Sequence, residues 1–303
     1  MKRILVPVDY SENAQNALAY AFEIARLAGA ELMLLHVFFP SISPSAAHNI
    51  TDVMEDMEEG KSRELLEFAD QVRKILTIES EAPGRFDAVP VKVVAKLGGA
   101  YEKILETIER YDTDLVVMGM QGGEAVSQAL LGSTTISVIQ KSRVPVLAVP
   151  KGVDFNQFAT IVFAIDLRKL NATTNLRFLS DVVQIFKANL QVLHVYRNET
   201  QQNTFDTTPP LQHLVDQFEH IPYTVNFDVQ ENVAAAIQQF IRAKKADLLV
   251  LIPQKHTILD RLLDKSITGK ITARPLVPLL ALPADILLNQ GNAQEPLVTH
   301  APL

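Results

Sequence analysis

The sequence predicts an α/β protein built as two tandem doubly wound parallel sheets of five strands each. Three observations carry this reading. Short continuous apolar runs rich in Val, Ile and Leu recur along the chain, as strands buried on both faces require. Segments of helical period lie between them, the alternation of a parallel sheet with helices on both faces. The whole pattern also occurs twice. "ILVPVD" at 4–9 answers to "IVFAID" at 161–166, and "LLHVF" at 34–38 to "VLHVY" at 192–196. "TDLVVM" at 113–118 answers to "ADLLVL" at 246–251, and "VPVLAVP" at 144–150 to "VPLLALP" at 277–283. The offset is 157 or 158 for the first two pairs and 133 for the last two. The second copy is therefore about 25 residues shorter, between its second strand and the unit that follows.

Taken in order, the first strand is followed by "NAQNALAYAFEIARLAGA", which sets Ala17, Ala21, Ile24 and Ala28 on one helical face and offers Gly29 as a C-cap. "MEDMEEGKSRELLEFADQVRKI" reads as a longer amphipathic helix, "AYEKILETIERY" as a third, and a helix from "STTISVIQ" precedes the last strand of the copy. Right-handed crossovers then give a doubly wound sheet in each copy. Residues 1–151 form the first unit and 159–285 the second, joined near "KGVDFNQFAT"; 286–303 form a tail expected to be partly disordered. "FFPSISPSAAHNITD" at 38–52 reads as a loop, a connector in preference to a lid.

Length and composition suit this organisation. The chain has 303 residues, 48% hydrophobic and 21% charged, enough apolar material for two cores. A net charge of −7, with no basic stripe carrying interleaved aromatics, argues against a nucleic-acid partner. The absence of cysteine excludes disulfides and thiolate metal sites and suits a reducing compartment. "MKRILVPVDYSENA" reaches Asp9 before an apolar region of signal-peptide length develops, and no apolar run approaches a membrane span. The expectation is a cytoplasmic protein with no membrane partner.

In doubly wound sheets ligands sit outside the carboxyl ends of the strands, at the switch in strand order. The first strand ends at Pro7-Val8-Asp9. Asp9 suits either hydrogen bonds from a sugar hydroxyl or exocyclic amine, or the capping of the next helix. His36 at the end of the second strand, and its counterpart His194, read as structural core residues. The fourth strand ends at Met118 and opens onto "GMQGGEAVSQALLGST", which holds four of the 12 glycines: Gly119, Gly122, Gly123 and Gly132. Glycine lets backbone N–H groups approach a phosphate. Ser133 and Thr134 then begin a helix whose free N–H groups and positive dipole end suit an anion. The alternative is a pair of unrelated turns and a serine cap.

The spacing Gly-x2-Gly-x9-Gly-Ser after a strand, with "ILVPVDYSENA" at the start and "SRVPVLAVP" at the end, resembles the ATP-binding branch of the universal stress protein family. The resemblance covers residues 1 to about 285 as a tandem member. It implies an adenine nucleotide alpha-hydrolase-like, Rossmann-like sandwich and a stress-response regulatory protein that binds ATP. It further implies Asp9 and Val37 at the nucleoside, Gly119, Gly122, Gly132, Ser133 and Thr134 at the phosphates, and Pro7, Val8 and Met118 lining the pocket. Some family members hold Mg2+ or Mn2+ with the phosphates; no acidic cluster here calls for either. Family members commonly dimerise through their last strands, which implies an intramolecular pseudo-dimer of "VPVLAVP" and "VPLLALP" and leaves a homodimer of chains open.

The second copy departs from the motif. At offset 133, Gly119 becomes Ile252, Gly122 becomes Lys255 and Gly132 becomes Lys265, Ser266 alone being retained, while Pro253 enters the loop. Nucleotide is therefore expected in the first copy only, with Asp166 an inherited cap; the lysines suit another anion as a minor reading. "GKS" at 60–62 has Glu55 where a P-loop needs glycine, and no Gly-x-Gly-x-x-Gly or Ser-Gly-Gly loop follows the first strand. Hydrolase or phosphotransferase chemistry would have to rest on Gln121 or Glu124, neither with a visible partner. The expectation is no catalytic residue and no enzyme, against the alternatives of a ligand-free interaction protein or a slow ATP hydrolase.

Overall fold

Ser11 starts the first helix: its Oγ accepts a hydrogen bond from the Ala14 amide at 3.2 Å, satisfying one of the donors a helix N-terminus leaves open. Gly29 ends it in the left-handed region at φ 65°, where a side chain would be strained. In this computed structural model, which describes residues 1–39, 50–120, 131–171, 173–253 and 277–283, the helix spans Glu12–Ala28 (α1). It buries Ala17, Phe22 and Ile24, at roughly 1.5–3 kcal/mol for each large side chain. Ala28, expected on the same face, lies at its margin.

The first half runs β1 (Arg3–Pro7), α1, β2 (Glu31–Phe38), α2 (Ile50–Glu79), β3 (Val91–Leu97), α3 (Ala100–Arg110), β4 (Leu115–Gly119), α4 (Ser133–Lys141) and β5 (Val146–Val149). The second runs β6 (Thr160–Ala164), a 3-10 turn at Leu167–Lys169, α5 (Arg177–Phe186), β7 (Asn189–Tyr196), α6 (Glu199–Thr204), α7 (Thr208–Gln217), β8 (Tyr223–Val229), α8 (Val233–Lys244), β9 (Leu248–Leu251) and β10 (Leu279–Ala281). The shortening seen in the sequence falls at α2. Its 30 residues are answered by the six of α6 and the ten of α7.

All ten strands form one sheet in the order β3-β2-β1-β4-β5-β10-β9-β6-β7-β8. Within each half every pairing is parallel. Between the halves β5 and β10 run antiparallel, with Leu147 opposite Leu280. Strand residues alternate between two cores: Ile4 and Val6 face α1, α2, α5 and α7, while Leu5 faces α3, α4 and α8. Each core crosses the seam between the halves.

The connection after β5 is held by α1. Asn16 Nδ2 donates to the carbonyls of Pro150 and Val153, both at 3.0 Å, and the Tyr20 hydroxyl donates to that of Asp154 at 2.9 Å. Tyr20 is fully buried, and burial followed by the nearby Asp154 and Asp247 charges pushes its pKa up. Most of the 38–52 segment and the whole 286–303 tail lie outside the described residues.

Candidate functional site

β1 has β2 on one side and β4 on the other, so the chain reverses its direction of travel across the sheet between β1 and β4. The crevice at their carboxyl ends is the switch point. Ile4 pairs with Leu115 and Leu5 with Val116, so the strand ends at Pro7 and at Met118-Gly119 lie on the same edge of the sheet. Pro7 is half-buried, and Val8 and Met118 are buried. Val37 follows on β2, half-buried and packed against the α3/α4 side of the sheet.

Gly119 and Gly132 meet at the neck of the β4–α4 connection. The Gly132 amide donates to the Met120 carbonyl at 2.5 Å, and the Met120 amide to the Val149 carbonyl at 2.8 Å. Thr135 Oγ1 reaches back to the Gly119 carbonyl at 3.0 Å. Gly119 and Gly132 are thus neighbours despite their separation in sequence. Gly132 is the N-cap of α4 and supplies no side-chain hydrogen bond; Ser133 is exposed and Thr134 half-buried. That donor set fits an anionic group. Gly122, with Gln121 and Glu124, lies outside the described residues, as do Lys255, Lys265 and Ser266.

Asp9 is exposed and does not cap α1, the role that Ser11 takes. Instead its Oδ1 accepts from the Ser11 amide at 3.1 Å and the Ser11 hydroxyl at 2.5 Å, an Asx turn that leads into the cap. In the second half Asp166 does cap, accepting from the Arg168 amide at 3.2 Å. The Arg168 guanidinium also grips it bidentately, Nε–Oδ1 at 2.8 Å and Nη2–Oδ2 at 2.7 Å. Burial raises the Asp166 pKa, but the hydrogen bonds and charge of Arg168 outweigh it and hold the carboxyl below its ordinary value.

The two histidines make a similar contact, and the Leu167 amide also lies 3.2 Å from His194 Nδ1. His36 Nδ1 lies 2.8 Å from the Val8 carbonyl, and His194 Nδ1 lies 3.1 Å from that of Ile165, the corresponding residue. Each pins the end of its second strand to the end of its first. His194 is only 1% exposed, and burial lowers its pKa.

Sequence reasoning passed over two features of the first half. Tyr10 sits in the left-handed region at φ 61°, unusual for a bulky residue, directly after Asp9. Its ring packs on His36 and Phe68 at 4.6 and 5.3 Å between centroids. Burial, then the Glu64 charge, pushes its pKa to about 12. Gly98, at φ 132°, donates its amide to the Phe38 carbonyl at 3.1 Å and ties the turn after β3 to the end of β2. The "GG" at 98–99 was a visible signal for that turn. Nothing in local pattern marks Tyr10.

The universal stress protein family profile matches residues 1–150. A universal stress protein of Methanocaldococcus jannaschii is 30% identical over 159 residues, which cover 50% of this chain and 95% of the relative. The chain belongs to the universal stress protein family. Universal stress protein A homolog 2 of Coxiella burnetii is 33% identical over 154 residues, 49% of this chain and 94% of its own. A solved universal stress protein from Archaeoglobus fulgidus DSM 4304 covers 93% of this chain and 96% of its own with a TM-score of 0.64; at 21% identity that likeness concerns the fold alone. As a universal stress protein the chain has an α/β fold with a large, mostly parallel sheet. Among the described residues no helix is long and apolar enough to cross a membrane, and no group of three or more His, Asp or Glu converges as metal ligands.

Proposed function

We propose that the first half of this universal stress protein binds an adenine nucleotide, ATP in the first instance, and that the protein acts as a cytoplasmic regulator rather than an enzyme. One observation carries the reading: the Gly132–Met120 hydrogen bond brings Gly119 and the glycine-capped start of α4 together beside the β1/β4 switch point. Open backbone donors at a helix N-terminus, with glycine on both sides of the neck, suit a phosphate chain. Ser133 and Thr134 would hold phosphate oxygens, Asp9 and Val37 the nucleoside, and Pro7, Val8 and Met118 the pocket wall. Mg2+ or Mn2+ would arrive with the phosphates, supplying charge neutralisation there.

The β5–β10 seam belongs to the same reading. It does within one chain what pairing of last strands does between separate family members, and it covers an apolar edge that would otherwise invite association.

The test is to denature the purified protein and chromatograph what it releases, beside a Gly122→Lys variant that imitates the second copy. An adenine nucleotide near one per chain from the parent and little from the variant supports the reading. Equal loads overturn the site. Steady-state phosphate release abolished by Glu124→Gln would replace the regulator with a hydrolase, and no thermal shift with Mg-ATP would replace it with a ligand-free interaction protein.

A further inference from the structure

The second half keeps the frame of a ligand site and changes its chemistry. At offset 157 Ser11 and Glu12 correspond to Arg168 and Lys169, and at offset 158 Phe39 corresponds to Arg197. A hydroxyl, an acid and an aromatic ring are thereby replaced by three cations. All three line a cavity at the carboxyl ends of β6, β7 and β9. Its volume is about 70 Å³, several times the roughly 10–15 Å³ that one water needs. Leu193, Ile237 and Leu251 contribute apolar walls.

The charges around it do not cancel. Asp166 is engaged through both oxygens by Arg168, so the acid that corresponds to Asp9 is already neutralised. Lys169 and Arg197 are exposed and have no ion pair among the described residues. A nucleotide phosphate chain finds little here. Ile252, only 8% exposed, stands where the first half has Gly119, and Pro253 after it has no N–H to donate.

We propose that this cavity binds a small organic carboxylate with a compact apolar body, such as a single ring. The body lies against Leu193, Ile237 and Leu251, and the carboxylate meets Arg197 and Lys169. Arginine's fork matches a carboxylate in two hydrogen bonds, and a neutral isostere forfeits the charge-assisted part. The site is separate from the nucleotide site of the first half and does not depend on it.

The test is calorimetric titration of the full chain with benzoate, in saturating Mg-ATP so that any nucleotide site is filled. Benzamide, inorganic phosphate and AMP serve as comparison probes. Benzoate binds one per chain, and benzamide and phosphate bind at least about 10-fold more weakly. Arg197→Glu, a surface change that leaves folding intact, weakens benzoate by about 10-fold or more while Arg197→Lys retains most of it. Ile237→Trp fills the slot and removes binding; a circular-dichroism melt shows that this variant is folded, and Arg197→Glu carries the test if it is not. No heat with benzoate, equal affinity for benzamide, an unchanged Arg197→Glu, or displacement of benzoate by AMP would each overturn the proposal.

Discussion

The carboxyl ends of β1 and β6 occupy corresponding places in two copies of one frame, yet they present different chemistry. Beside β1 lie Gly119, Gly132 and the start of α4, a surface offering backbone donors. Beside β6 lie Ile252, Pro253 and a rim of Arg168, Lys169 and Arg197, a side-chain surface made of cations over an apolar slot. What the halves share is equally informative. Both histidines lie against the carbonyl just past the first strand, and both halves run the same strand order outward from the seam. The frame therefore accepts Ile252 where the first half has Gly119.

The largest expected effect tests the seam. Leu147 and Leu280 face each other across β5 and β10, each 2% exposed. Leu147→Asp and Leu280→Asp should each cost about 3–5 kcal/mol by burying an unpaired charge, read by denaturant unfolding. Near-equal losses would mean the halves are equivalent at the seam, and a large difference would break that equivalence.

Next comes the proposed phosphate side. Gly119→Ile, which copies Ile252, should lower adenine-nucleotide affinity by about 100-fold, or about 2.7 kcal/mol, with little change in melting temperature. An unchanged affinity by titration would remove Gly119 from the comparison.

The caps differ by less. Ser11→Ala should cost about 1 kcal/mol through loss of the bond from the Ala14 amide. Arg168→Ser, which breaks a partly exposed ion pair, should cost less than about 1 kcal/mol. Thermal unfolding of both variants ranks the two helix entries, and the reverse ranking would place the stronger anchor in the second half.

The smallest effect is in pH. Asp166 and Arg168 supply the charges near His194, but burial dominates and the folded pKa lies below the unfolded value. The unfolded chain then takes up the proton first. The stability contributed by neutral His194 is present above the unfolded pKa of about 6.5 and declines as pH falls below it toward the folded value. Melting temperatures between pH 7.5 and 5.5 should fall more steeply for the parent than for His194→Gln. Parallel slopes would show that His194 is not the group titrating.

Much of the frame was legible in the residues themselves. The alternation of apolar runs and helical periods gives the element order of the first half, and the fall in offset locates where α6 and α7 replace α2. Gly29 reads correctly as a C-cap because the left-handed position is a local demand. The start of α1 was harder: Asp9 and Ser11 are both capping residues two positions apart, and only the observed hydrogen bond to Ala14 separates the cap from the turn before it. Arg168, Lys169 and Arg197 were visible as exceptions to the repeat, but their meeting at one cavity was not. They come from the end of β6 and the end of β7, which adjoin only through strand pairing.

The sequence by itself determined the class of fold, its duplication, and which copy carries the glycine spacing. These depend on periodicity and residue type, which act within a few neighbours along the chain. The tertiary structure alone decided how Leu147 registers with Leu280, how Met120 closes on Gly132, and which side chains share the second-half cavity. Those outcomes rest on hydrogen bonds and packing between segments far apart in sequence, whose geometry is set by the assembled sheet and not by any one segment's own preference.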